Sequence, residues 1–467
     1  MDDAFGRWKG ASMSSFGDAA PTQRGIIRLW RWRDVLDGGA ILLLFLQASE
    51  LYKPIGYLIG LPSSQSVNMV FMAGMSFYLL VNVRPVLALL KRPAIFAWTV
   101  LLVPLPVALM VLQAMSGDLD LERLVYWTVF SLLFLEMMLV AAVVWRRHGP
   151  VLTKPFFLGC VAAAGLAFAI NLLDYGFVRD VMWFSANRIA VSDATVRMLG
   201  FYQHPNMAAI SICLYVVCLL SDRKFVTGSQ ITQVVVIILA GAGIVLTGSR
   251  TTSLLFLVAI AAYALFFLRI GLASPARLAK RLAIMITVMA ATSVLLYFVA
   301  RQMSPEIVDN AVDRASSMLG FLDGSAIGND ESAQIRINIL SSYWRDIQKA
   351  LFLGRGPDFA FERIEGGFYS NVSQNSWIEW WLKFGLLYCI AVVAVLAVTY
   401  FFARRVGRSD PYLRFGGSLL LCVVLLASFS FVDIFWLRAM ACAIGCYLGL
   451  LARNEVIPSA HNDEDEL

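Results

Sequence analysis

Runs of about 18–25 apolar residues follow one another along almost the whole chain, and a helix of that length crosses roughly 30 Å of hydrocarbon. They occupy residues 37–58, 66–83, 95–115, 124–145, 155–174, 204–220, 230–247, 251–268, 282–300, 373–402, 413–431 and 434–452. In lipid every backbone N–H and C=O must be satisfied internally, so single runs of this length imply helices. The expected architecture is an all-α integral membrane protein with about twelve transmembrane helices. Composition agrees: 59% of the 467 residues are hydrophobic and 15% charged, which excludes a water-soluble enzyme. All seven cysteines fall inside apolar runs, without the spacing of a disulfide framework or a zinc site. They read as small packing residues.

Residues 1–35 are expected to form a cytoplasmic tail, 36–452 a polytopic membrane domain, and 453–467 an acidic cytoplasmic tail. The sides follow from the basic residues. Lys and Arg concentrate in cytoplasmic connections, and most of the 38 lie in the tails or in connections on the tails' side. Two outer loops run against this bias. The connection after the fifth run holds Arg179, Arg188 and Arg197. The connection after the ninth, residues 301–372, holds Arg301, Arg314, Arg336, Arg345, Lys349, Arg355 and Arg363. This second loop is the long one, expected as a periplasmic cap. Within it, ESAQIRINILSSYWRDIQKALFL repeats apolar residues at helical spacing, which predicts an amphipathic helix against the membrane face. Arg250 lies in the short polar turn LTGSRTT, at the outer mouth of the seventh and eighth runs.

Four stretches on this outer side are similar to the bacterial O-antigen ligase and polymerase family, multi-span glycosyltransferases of GT-C-like architecture. RMLGFYQHPNMAA (197–209) resembles the family's arginine followed by Gly-Phe and Pro-Asn at a span mouth. LTGSRTT (246–252) resembles its Ser-Arg turn. IRINILSSYWRDIQKALFLGRGP (335–357) resembles an arginine-led helix closing on Gly-x-Gly-Pro. SQNSWIEWWLKFG (373–385) resembles a His-Asn that opens a helix reaching a glycine, but here Gln374 precedes Asn375. In ligases that histidine is implicated in activating the acceptor, so its replacement weakens the ligase reading.

The resemblance implies a polyprenyl-pyrophosphate-linked oligosaccharide as donor. Transfer breaks the anomeric C–O bond and leaves charge on a diphosphate, which a planar, permanently charged guanidinium suits. Arg197, Arg250 and Arg336 are the candidates to neutralise it, with Ser249, Arg345 and Arg355 beside them; each arginine has the plainer alternative of snorkelling to lipid headgroups. His204 is the outer-side histidine, a candidate base or simply a helix-start residue before Pro205 and Asn206. Asp330, Glu331 and Asp358 compete for the base role. Asn206, Gln374 and Asn375 are candidate substrate contacts. Glu136, near the middle of its run, either lines the groove or is hydrogen-bonded to a neighbouring span. Asp118 and Asp120 in DLDLER read as a solvated turn, and no metal or cofactor is expected. Glu379 and Lys383 can pair along one helix face, and Trp377, Trp380 and Trp381 suit a headgroup-level aromatic belt.

The leading expectation is a metal-independent polymerase joining lipid-linked repeats on the periplasmic face of the bacterial inner membrane, making O-antigen or exopolysaccharide. A ligase moving glycan to a lipid A-core or other acceptor is the nearest rival, and a twelve-span secondary transporter a distant one. Its partners would be the lipid-linked oligosaccharide, the bilayer, and a chain-length regulator or flippase of the same pathway, with no nucleic acid.

Overall fold

The structure is a computed structural model. It describes residues 21–115, 121–184, 198–269, 301–322, 352–356, 375–407, 410–429 and 437–455, with isolated positions 276, 283, 287, 291, 294, 297–299, 344, 347–349 and 435. Every regular element among them is helical.

Helix α1 (Pro21–Ala48) stops at a tight turn in which Glu50 has a left-handed φ of 60°. The next helix, α2 (Tyr52–Leu58), departs at 94°, so the run at 37–58 is a bent pair and not one straight span. Helices α3 (Ser64–Val81) and α4 (Val83–Leu90) follow, α3 being capped by Ser63. Helices α5 (Pro93–Leu102) and α6 (Pro104–Ala114) make one apolar crossing interrupted at Val103. Pro104 is the cause, because a proline disfavours helical angles in the residue before it. Then come α7 (Leu121–His148), α8 (Thr153–Leu173), α9 (Tyr175–Phe184) and α10 (Pro205–Leu220). The chain continues through α11 (Gln230–Leu246), α12 (Arg250–Arg269) and α13 (Pro305–Leu322). It closes with α14 (Ser376–Phe384), α15 (Leu386–Val406), α16 (Pro411–Ser428) and α17 (Arg438–Asn454).

Six crossings among the described residues are long and apolar enough to span a membrane: α3, α5 with α6, α7, α8, α15 and α16. The α1–α2 pair brings the number to seven at most. Helices α10 and α11 occupy expected runs but fall short of 18 residues, α12 covers the run at 251–268, and α17 covers most of the run at 434–452. The run expected at 282–300 and the amphipathic helix expected over 331–353 lie mostly outside the described residues. The all-helical membrane class is therefore shown, while twelve crossings are not.

Helix α10 sits at the centre, buried along nearly its whole length against α8, α11, α12, α16 and α17. Helix α17 packs on α7 through Gly445 and Gly449, spaced four apart. A Cβ on Gly449 would fall 2.5 Å from the Ala142 carbonyl oxygen, and one on Gly445 2.7 Å from Ala141 Cβ. Small residues at this spacing let helix backbones approach closely where lipid supplies no hydrophobic drive.

Polar networks close both ends of the bundle. At the end carrying the N-terminus of α1, Asp37 accepts from Tyr78 Oη at 2.7 Å and from Arg147, which also reaches Asn82 Oδ1 at 2.8 Å. At the other end, buried Arg438 and Lys53 both pair with Glu50, at 3.0 and 2.9 Å. Arg438 also donates to Asn68 Oδ1 at 3.0 Å and lies 4.2 Å over the Tyr52 ring.

Candidate functional site

The loop before α10 is held from three sides. Asn171 Oδ1 accepts from the backbone N–H groups of Leu199 and Gly200, at 3.3 and 3.1 Å. Lys53 Nζ donates to the Phe201 carbonyl at 2.9 Å. Tyr202 Oη meets Tyr215 Oη at 3.2 Å, and Tyr215 bonds the Ala48 carbonyl. Gly200, at φ 57°, passes so close to α8 that a Cβ would lie 2.9 Å from Ala167 Cβ. The loop delivers half-buried His204 to the N-cap of α10, where its Nδ1 accepts from the Asn206 backbone N–H at 3.1 Å. A neutral imidazole has one lone pair. With Nδ1 accepting, Nε2 carries the proton and acts as a donor.

The turn between α11 and α12 is similarly built. Gly248 takes φ 65°, Thr247 Oγ1 donates to the Ile244 carbonyl at 2.6 Å, and buried Ser249 donates through Oγ to Thr252 Oγ1 at 2.9 Å. The turn sets Arg250 as the first residue of α12, half-buried. Met198 N–H donates to the Leu246 carbonyl at 3.3 Å, so the first two motifs meet. Between α11, α12 and α13 runs an apolar groove of about 490 Å³, walled by Ile244, Val245, Phe256, Leu257, Val308 and Val312. Ser253, one turn into α12 from Arg250, also lines it.

The third and fourth motifs also meet, backbone to backbone. Arg355 N–H donates to the Leu382 carbonyl at 2.7 Å and Gly356 N–H to the Lys383 carbonyl at 3.1 Å. Gln113 of α6 ties both strands of chain together by donating to the Leu353 and Lys383 carbonyls. Gly354 (φ 73°) and Gly385 (φ 82°) make the approach possible, since a Cβ on either would overlap the opposing backbone. Arg355 is exposed beside this junction. Asn375 caps α14, its Oδ1 accepting from Trp377 and Ile378 N–H at 2.9 and 3.3 Å.

Four candidates, Arg197, Arg336, Arg345 and Gln374, lie outside the described residues, as do Arg188, Asp118 and Asp120. Glu136 is placed away from the outer loops, between α7 and α3, where Ser76 Oγ donates to Oε1. Glu379 and Lys383 do pair, at 3.0 Å and largely buried. The tryptophans depart from a simple headgroup belt. Trp380 is buried and stacked on Phe435 at 4.8 Å, and Trp377 Nε1 bonds Ser428 Oγ at 2.7 Å, so α14 packs inward. Sequence reasoning passed over the Glu50–Lys53–Arg438 network. Its signal was available: ionisable residues within apolar runs.

A bundle of apolar helices with ion pairs buried at both ends and structured turns at one end is a multi-pass membrane protein. Residues 235–393 match the family model for O-antigen ligase, so the resemblance to the O-antigen ligase and polymerase family is shown over that segment. The match contains the second motif, the third and the fourth, and begins after the first. No curated protein matches the chain.

Proposed function

We propose that the protein is a membrane glycosyltransferase that lengthens a glycan by joining polyprenyl-pyrophosphate-linked repeats at the outer ends of α10, α11 and α12. The observation that carries this reading is an apolar groove of about 490 Å³ lined by Leu246 and Ser253, the residues on either side of the turn that holds Ser249 and Arg250. A donor that is anionic at one end and hydrocarbon at the other fits such a pairing. Arg250 stabilises charge developing on the departing diphosphate, with Arg197 and Arg336 as further cations. Preorganised donors of this kind are commonly worth about 10²–10³ in rate each. His204 contributes through Nε2–H, as a hydrogen-bond donor to a phosphate or sugar oxygen. Because Nε2 already holds a proton it is not the base, and the acceptor hydroxyl's proton passes to one of the carboxylates Asp330, Glu331 and Asp358. Arg345, Arg355, Asn206, Gln374 and Asn375 are candidate glycan contacts. Residues 301–372 form the periplasmic cap in this reading, and both termini are cytoplasmic. Glu136, held by Ser76, is left to a structural role.

Gln374 in place of the ligase histidine favours a polymerase. The family description favours a ligase. One assay separates the two. Purified protein in detergent, given lipid-linked repeats and EDTA but no nucleotide sugar, should produce a ladder of longer lipid-linked glycans. Product that appears only when lipid A-core is added would establish the ligase. Strict, reversible dependence on a divalent ion would overturn the arginine-based account and promote Asp118 and Asp120.

A further inference from the structure

A second cationic site lies at the opposite end of the bundle and has no part in the proposed transfer. Helix α15 ends in Phe401-Phe402-Ala403-Arg404-Arg405, and α16 begins at Pro411 with Arg414 one turn in. A Cβ on Gly407 would sit 3.2 Å from Arg414 Cβ, so this glycine lets the hairpin close tightly on the arginine. Arg404 and Arg414 line two hollows at once. One, of about 440 Å³, adds Phe401 and Arg405. The other, of about 420 Å³, adds Phe266, Tyr400, Pro411, Phe415 and Ser418.

The chemistry of these walls is two-sided. Phe266 and Phe415 stack at 4.2 Å with their planes 9° apart, giving a flat apolar wall. Phe401 is 66% exposed on the outside of the hairpin. The Arg404 guanidinium lies 5.7 Å from the Tyr400 ring centroid, which restrains the side chain. Arg404, Arg405 and Arg414 are all exposed, and among the described residues none is in an ion pair. Asp410, the acid nearest in sequence, has Oδ1 occupied in capping α16 through Tyr412 and Leu413 N–H. Two guanidinium forks without carboxylate partners, where a long apolar helix ends, are built for phosphate oxygens. Aromatic walls that continue toward the hydrocarbon are built for what a free anion lacks, a lipid chain.

The structure assigns the α15–α16 hairpin, with the end of α12, as a binding site for an anionic phospholipid whose phosphate bridges Arg404 and Arg414. Such a lipid would brace the hairpin against α12, the helix that starts with Arg250. The inference stands on charge and cavity shape at this end, and holds whether or not the transfer reaction is as proposed.

The test uses full-length protein in detergent, with dioleoyl phosphatidylglycerol and dioleoyl phosphatidylcholine titrated separately and bound lipid counted by native mass spectrometry. Wild type should retain phosphatidylglycerol about tenfold better than phosphatidylcholine, as expected for two arginines at a headgroup. The R404Q/R414Q variant should lose most of that preference. R84Q/K91Q, which removes two exposed charges elsewhere at the same end, should keep it. Both pairs are exposed, so thermal unfolding without lipid should match wild type; R404Q alone, halving the phosphate contacts, serves as a second variant. Equal losses in the two double variants would mean diffuse surface attraction and would overturn the site. Displacement of phosphatidylglycerol by millimolar inorganic phosphate would make it a soluble-anion site and overturn the lipid assignment.

Discussion

Arg250, His204 and Glu50 each admit a discriminating substitution. Lysine keeps the charge of Arg250 but loses the planar fork, so Arg250→Lys should be nearly as damaging as Arg250→Ala if the residue holds a diphosphate. A residue that merely snorkels would tolerate lysine well. Glycan chain length on gels, from cells with matched protein levels, separates the two. For His204 the cap and the chemistry can be parted. Asparagine also caps a helix N-terminus, so His204→Asn should recover the roughly 1 kcal/mol that His204→Ala loses as a cap. If Nε2–H is needed for transfer, both variants should be inactive although only the alanine variant melts earlier. Full activity in His204→Asn would reduce the histidine to a helix start. Glu50→Gln removes the one carboxylate shared by Arg438 and Lys53. Leaving buried cations unpaired commonly costs about 3–5 kcal/mol. The variant should show a clearly lowered melting temperature in detergent, and an unchanged one would mean that water compensates the pair. The ionisable residues stood out within apolar runs, but which of them pair was not legible, because Glu50 and Arg438 stand 388 residues apart.

Among the elements, the two junctions at Gly385 and at Gly445–Gly449 show how backbone proximity decides the packing. The run at 373–402 read as one span, yet it breaks into α14 and α15 at Gly385, whose φ of 82° no L side chain adopts easily. The break turns α14 inward, buries Trp380 and admits the 352–356 segment against Leu382 and Lys383. Gly385→Ala should therefore separate the third and fourth motifs and abolish activity. Its effect should be read beside thermal stability, since α15 alone can still span the membrane. Wild-type turnover in that variant would sever the junction from function. The glycine pair on α17, four residues apart in an apolar run, was not singled out from the sequence. Only the fold shows that its partner is α7, and that a methyl group there would meet the backbone of Ala142.

At the scale of the molecule, sidedness is the claim most open to direct measurement. Single cysteines placed in a cysteine-free background at exposed Met115 and Gly60 should react with an impermeant maleimide from outside the cell. Cysteines at exposed Val151 and Lys224 should react only after permeabilisation. Outside labelling at 224 would invert the topology and remove the case for periplasmic transfer. The helical class and the six crossings among the described residues followed from the sequence, because hydrocarbon thickness and backbone satisfaction act on each segment separately. Tertiary structure decided what depends on two segments at once. It bent the first run at Glu50, where Arg438 from the last helix joins Lys53 on one carboxylate, and set Lys53 beneath the loop carrying His204. It also joined the motifs in pairs through Met198 with Leu246 and Arg355 with Leu382. Hydropathy reports how a residue partitions between water and lipid, whereas a buried charge or an open carbonyl is settled by whichever distant group the packed bundle brings within about 3 Å.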